Sequence, residues 1–250
     1  MTELKALIFD VDGTLADTER DGHRLAFNAA FKEAGFDWFW DENLYGKLIE
    51  VAGGKERIKF YLSEYLPDFL PEKSWDEFLW ELHKLKTKHY KVLLSQGVIP
   101  LRVGVKRLLA EARERGLRLA IATTSALPNV EALLAGRIDQ SWFEVIAAGD
   151  IVERKKPAGD IYCYVLAKMN LSSEECLVFE DSNQGLVAAS SAGLKTIVTV
   201  NGYTQNHDFS GACLVVDCLG EPNQPFQVLA GDSRGFDYIN LDSLEVFFRM

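Results

Sequence analysis

Four short stretches carry the side chains that could act on a phosphate ester: Asp10-Val11-Asp12-Gly13-Thr14, Thr123-Thr124-Ser125, Lys155-Lys156 and Glu180-Asp181-Ser182. A carboxylate such as Asp10 can attack phosphorus and form an aspartyl-phosphate, dividing one difficult displacement into two easier ones. A second carboxyl two residues on, Asp12, can protonate the leaving oxygen and later activate water. Successive side chains of a strand point oppositely, so the backbone must turn after Asp10 for both to serve one site, and Gly13 eases that turn. Asp10 with Glu180 and Asp181 offers the oxygen ligands that a hard magnesium ion requires. Lys156 and Thr123 can hold the non-bridging oxygens and offset the charge the metal leaves.

Each stretch taken singly has an ordinary reading. Asp-x-Asp-Gly is common in turns, Glu180-Asp181 suits the first turn of a helix, Thr123-Thr124-Ser125 suits a helix cap, and Lys155-Lys156 suits a solvated surface. The elements between them make the difference. Apolar patterning predicts strands over 4–9, 117–122, 143–148, 176–179 and 196–200. Helices are expected over 105–115, 129–135, 157–169 and 184–192, with Pro157 at the permitted first turn. Strands alternating with helices of about ten residues imply a doubly wound, mostly parallel α/β sheet covered on both faces. Ligands of such sheets bind beyond the carboxyl ends of the strands, where all four stretches emerge.

Residues 18–93 read differently. Phe27, Ala30, Phe31 and Ala34 recur at helical spacing, as do Trp75, Phe78, Leu79, Leu82 and Leu85. Residues 41–66 are helical too, broken at Gly53-Gly54 and ended by Pro67. The expected organisation is an α/β core from residues 1–17 and 94–250 with an inserted all-helical cap over 18–93. Residues 214–216 would add a strand, and 220–237, with Pro222 and Pro225, reads as loop.

Among 250 residues, 48% are hydrophobic and 26% charged, the balance of a globular protein with a sizeable core. Lys plus Arg number 27 against 37 Asp plus Glu, a formal charge of −10 that repels nucleic acid and anionic membrane. An anionic substrate must then be captured by a local cationic cluster. No apolar run is long enough to span a bilayer, and the N-terminus reads as lacking a signal peptide. Cys163, Cys176, Cys213 and Cys218 show no zinc spacing and read as reduced thiols, mostly core fillers. A cytoplasmic monomer is expected, with the plastid stroma as the location in a photosynthetic eukaryote.

The four stretches together resemble, in order, the four motifs of the haloacid dehalogenase superfamily, over essentially the whole chain. The resemblance implies Asp10 as nucleophile and Asp12 as general acid/base, with Thr123 and Lys156 as phosphate ligands. It places Mg2+ on Asp10, Asp181 and the Asp12 carbonyl, with Glu180 on the metal directly or through water. The inserted helices resemble the mobile cap of the subgroup containing β-phosphoglucomutase and phosphoglycolate phosphatase. Asp17-Thr18-Glu19-Arg20-Asp21-Gly22-His23-Arg24 and Gly53-Gly54-Lys55-Glu56-Arg57 closely resemble the CbbY-like branch, as do Ala122-Thr123-Thr124-Ser125 and Phe209-Ser210-Gly211-Ala212. That branch includes phosphatases acting on xylulose-1,5-bisphosphate, a misfire product that inhibits Rubisco.

A small phosphorylated sugar is therefore the expected partner. Glu19, His23, Lys55, Arg57, Lys86, Thr124 and Ser125 are its candidate ligands, and Lys88 is a further cation. Lys55 follows a glycine pair at a helix start, where backbone N–H groups and a lysine suit a second phosphate. Gly53-Gly54-Lys55 is not a nucleotide loop, because Ile49 stands where the first glycine belongs and Glu56 follows the lysine. In one respect the chain departs from many relatives of the branch, which place a histidine three residues after Glu19. Here that position is Gly22, and His23 comes one later. A phosphosugar mutase or a phosphoglycolate-type phosphatase would share these features. A non-catalytic phospho-receiver would not need Asp12 or a helical insertion of about 75 residues.

Overall fold

The computed structural model describes residues 3–51 and 53–249, which divide into two compact units. One unit contains the chain up to Asp17 and from Pro100 onward; the other is Thr18–Ile99. The second division falls six residues beyond 93, because the last helix of the insertion continues to Ser95.

The larger unit is built on a seven-stranded sheet of β1 (Ala6–Phe9), β2 (Arg118–Thr123), β3 (Phe143–Ala148), β4 (Cys176–Glu180), β5 (Lys195–Thr199), β6 (Leu214–Val216) and β7 (Val228–Gly231). The order is β3-β2-β1-β4-β5-β6-β7, parallel throughout except for β7. The chain builds outward from β1 through β2 to β3, then crosses back to place β4 on the other side of β1. The order therefore reverses at β1 and β4, where doubly wound sheets open a crevice for ligands. β1 is apolar at every position and wholly buried, as a strand covered on both faces must be. Ala6 and Ile8, Ala120 and Ala122, and Cys176 and Val178 alternate onto one face. There they pack with Ile161, Tyr162 and Val165 of helix Asp160–Met169 and Ala188 and Ala189 of helix Asn183–Ser191.

Two expectations are corrected. Pro157 is not in the first turn of a helix: that helix, Asp160–Met169, begins at Asp160, after a cis Lys156-Pro157 peptide. The 220–237 stretch is mostly loop, as expected, but within it β7 pairs antiparallel with β6, and beyond it a C-terminal helix, Leu241–Arg249, buries Leu244 and Phe247. Of the four free cysteines only Cys176 is buried, and Cys163 is exposed.

Among its described residues the smaller unit contains helices and no strand: Arg24–Glu33, Glu42–Leu48, Gly54–Tyr65 and Trp75–Ser95. Asp41 and Ser74 accept from the backbone N–H groups of Leu44 and Glu77, capping the second and fourth of these. The interior is aromatic. Phe27, Phe31, Trp40 and Tyr61 meet at centroid separations of 4.6–6.1 Å, and such pairs add about 1 kcal/mol each beyond the area they bury.

Candidate active site

Strand register brings the acidic residues level. Phe9 of β1 pairs with Phe179 of β4, their rings stack at 4.6 Å, and the Asp10 N–H donates to the Phe179 carbonyl at 3.0 Å. The next residue on each strand is then Asp10 or Glu180. Oxygens of Asp10, Glu180 and Asp181 lie within 4.8 Å of one another, and all three residues are buried. The Asp12 carboxylate is not part of this trio; the residue sits half-exposed in the loop after β1.

Lys156 reaches the trio from the loop before helix Asp160–Met169. Its Nζ donates to Asp10 at 2.6 Å, to Glu180 at 2.5 Å and to the Ala122 carbonyl at 2.9 Å. Its side chain is only 7% exposed. Burial works against the ammonium, but Asp10 and Glu180 beside it more than offset that and hold its pKa above the lysine norm. Asp10 is pushed up to about 8, first by burial and then, against Lys156, by Glu180 and Asp12. Asp181 is likewise raised well above its ordinary range by burial and by the Asp10 and Glu180 charges. Lys156, with the Arg102 charge acting on Asp181, thus faces three buried carboxylates, an arrangement that another cation would relieve. Three hard oxygen donors in this space fit magnesium.

Gly13 closes the loop over the site. Its φ of +87° is natural only to glycine, and an added Cβ would collide with the carboxylate of Asp181 and the amide of Asn201. Thr123, at the end of β2, is buried, and its Oγ1 accepts from the Ser125 N–H at 3.1 Å. Thr124 is exposed and Ser125 half-buried. Ser182 caps helix Asn183–Ser191 by accepting from the Gly185 N–H.

Two neighbours escaped the sequence reading. Tyr162 of helix Asp160–Met169 donates its hydroxyl to Glu180 at 2.5 Å, and Asn201, just past β5, donates to Asp181 at 2.6 Å. Tyr162 looks from sequence like one more apolar-face residue of a helix. The only signal for Asn201 was its place shortly after the end of a predicted strand.

The helical unit assembles its own polar cluster. The Tyr45 hydroxyl donates to Glu19 at 2.5 Å and accepts from Arg57 Nη1 at 2.6 Å, with Arg57 and Glu19 also 3.6 Å apart. Lys86 Nζ donates to His23 Nδ1 at 2.7 Å and lies over the rings of Phe27 and Tyr90. Arg57 and Lys86 are 7% and 8% exposed, and the buried Arg57 Nε has no hydrogen-bond partner. Burial, and then the Lys86 charge, pushes His23 down to about 3, so it meets Lys86 as a neutral acceptor. Lys55 is exposed on the first turn of Gly54–Tyr65, which starts at the glycine pair. Lys88 is not part of the cluster: it pairs with Glu33 at 2.8 Å on an exposed face.

The displaced histidine has a structural explanation. Glu19–His23 forms a π-helical turn, whose wider winding accommodates one more residue than an α-turn. His23 thereby stacks on Tyr90 at 3.9 Å. Gly22 is buried, and a Cβ there would strike Tyr90 and Ile99. On this backbone no histidine fits at 22.

The model of the haloacid dehalogenase-like hydrolases matches residues 4–193. Protein CbbY (plasmid) of Cupriavidus necator is 46% identical over 89% of this chain and 88% of its own length. Among solved structures, CbbY from Rhodobacter sphaeroides in complex with phosphate superposes with a TM-score of 0.75 at 44% identity, covering 86% of this chain and 94% of that one. A mutant of that protein in complex with xylulose-(1,5)bisphosphate gives the same TM-score at 43% identity and the same coverage.

Proposed function

From the premise that the chain belongs to the haloacid dehalogenase-like hydrolase family and is a phosphatase, we propose that it hydrolyses a sugar bisphosphate through an aspartyl-phosphate on Asp10, with Mg2+ as cofactor and xylulose-1,5-bisphosphate as substrate. The observation that carries the reading is the meeting of Asp10, Glu180 and Asp181 with Lys156 at the carboxyl ends of β1 and β4.

In the first half-reaction an oxygen of Asp10 attacks phosphorus, the ester P–O bond breaks, and Asp12 gives its proton to the departing sugar oxygen. Lys156 keeps Asp10 pointed at the phosphorus and, with Thr123, takes the charge that develops on the non-bridging oxygens. In the second half-reaction Asp12 removes a proton from water. The hydroxyl attacks the phosphoryl group, and the bond to Asp10 breaks to free inorganic phosphate. Magnesium held by Asp10, Asp181 and the Asp12 carbonyl, with Glu180 direct or through water, would neutralise phosphoryl charge.

The substrate assignment is supported by the cations of the helical unit. Arg57 and Lys86 are buried, and an anion would satisfy the orphaned Arg57 Nε. Lys55, Glu19 and His23 are the further proposed sugar-phosphate ligands of the helical unit, and Thr124 and Ser125 are those of the α/β unit. The resemblance to CbbY with xylulose-(1,5)bisphosphate points the same way.

Phosphate release from a panel of sugar phosphates with Mg2+ tests the proposal. Xylulose-1,5-bisphosphate should turn over fastest, with one phosphate released per molecule. Faster turnover of phosphoglycolate would refute the substrate assignment, and isomerised sugar phosphate without free phosphate would identify a mutase.

A further inference from the structure

Arg102 lies outside every motif, yet it grips the loop that carries Asp12. Its side chain is 8% exposed and belongs to the α/β unit, as do all its partners. Nη1 donates to the Gly13 carbonyl and to the Thr199 carbonyl at 2.8 Å, with Thr199 Oγ1 at 3.2 Å. Nη2 donates to the carbonyls of Val200 at 2.6 Å and Asp217 at 2.5 Å. Nε lies 3.7 Å from the Asp17 carboxylate. One guanidinium therefore ties together the loop after β1, the end of β5 and the end of β6.

Two of these attachment points, Gly13 and the end of β5, border Asp181. Gly13 packs so tightly against Asp181 and Asn201 that no Cβ fits between them. Asn201 directly follows Val200 and donates to Asp181 at 2.6 Å. Its orientation is set by Thr204 Oγ1 on its N–H and by the Tyr203 N–H on its Oδ1. Moving the end of β5 moves Asn201, and moving Gly13 moves Asp12 and opens the space beside Asp181.

We propose that Arg102 is a positioning residue for the acidic cluster: by holding the Gly13, Thr199, Val200 and Asp217 carbonyls together it sets the spacing between the Asp10-Asp12 loop and the Asp181–Asn201 pair, and with it the cluster's affinity for a divalent cation. This rests on the reading of the cluster as a magnesium site. The planar, multi-donor fork is what the task requires; a lysine keeps the charge but cannot reach carbonyls on three segments in fixed directions.

The test is Mn2+ binding to the full chain without substrate, followed by electron paramagnetic resonance, in the parent protein and in Arg102→Lys. Groups that orient metal ligands change affinity by about 10–100-fold. A loss in that range is expected, with a single cooperative circular-dichroism melt retained at a lower midpoint and kcat falling by a larger factor than KM changes. Arg102→Lys that binds Mn2+ as tightly as the parent overturns the proposal. Should Arg102→Lys fail to fold, Asn201→Ala decides, because it cuts the last link while leaving Arg102 in place. A comparable loss of Mn2+ affinity supports the proposal and parental affinity overturns it. A parent chain that binds no Mn2+ overturns both this and the magnesium reading. Mn2+ binding without ester hydrolysis overturns only the assigned reaction.

Discussion

Replacing Asp10, the proposed nucleophile, should make the metal-free protein more stable while abolishing its activity. Asp10 rises from 3.8 to about 8 in the folded chain, chiefly because its carboxylate is buried. A carboxylate whose folded pKa is raised is fully accommodated below its unfolded pKa, and folding loses stability as pH climbs towards the folded value. At pH 7 the unfolded chain has released the proton that the folded chain retains. At about 1.36 kcal/mol per unit over the interval above 3.8, the penalty is at most about 4 kcal/mol. Asp10→Asn removes it, and Lys156 keeps Glu180 at 2.5 Å and the Ala122 carbonyl at 2.9 Å as partners. In EDTA at pH 7 the variant should melt on the order of 10 °C higher, with phosphate release abolished. The stability gap should be near zero at pH 4, widen by about 1.4 kcal/mol per unit and level off above pH 8. Saturating Mg2+ should narrow it, because the cation favours an ionised Asp10 that asparagine cannot offer. Denaturant melts across pH 5–8 with EDTA and with Mg2+ measure all of this. A variant no more stable than its parent at pH 7.5 in EDTA, or a gap independent of pH, would refute the reasoning.

Lys156→Met leaves Asp10 and Glu180 buried without their cation; urea melts should show a loss of about 3–5 kcal/mol, with phosphate release falling to background. Gly185→Ala drives a Cβ into the Glu180 carboxylate. A cost of about 1–3 kcal/mol and a marked fall in kcat are expected, read by thermal melts and phosphate release. His23 is held at about 3 in the fold, so below pH 6.5 the unfolded chain binds a proton that the folded chain refuses. Stability of the helical unit should fall by about 1.4 kcal/mol per unit on acidification, and His23→Asn should flatten that slope in tryptophan-fluorescence melts. Arg57→Lys removes the fork that meets Tyr45 and Glu19. Steady-state kinetics should show KM for the proposed bisphosphate substrate rising about tenfold with kcat little changed.

The fold class was legible because its signals are local. An apolar run such as Leu7-Ile8-Phe9 ending in Asp10, and helices of about ten residues alternating with strands, report burial and period directly. The one strand within the 220–237 loop was not legible. β7 is four residues with exposed side chains, so its place at the sheet edge is decided by backbone hydrogen bonds to β6, which leave no mark in side-chain pattern. Pro157 was misplaced for a similar reason: a proline is compatible with a helix's first turn and with the loop before it, and only the path that brings Lys156 to Asp10 chooses.

What the sequence determined by itself was the set of chemical groups at the strand ends and the presence of an all-helical insertion, since both follow from residue type and spacing. Tertiary structure alone decided which of those groups meet. The Phe9–Phe179 register levels Asp10 with Glu180, the π-turn brings His23 to Lys86, and Tyr162, Asn201 and Arg102 arrive from distant segments to hold what the motifs supply. Such contacts depend on where the backbone goes after the strand ends, and that is settled by packing across the whole α/β unit or the whole helical unit, beyond the reach of any local pattern.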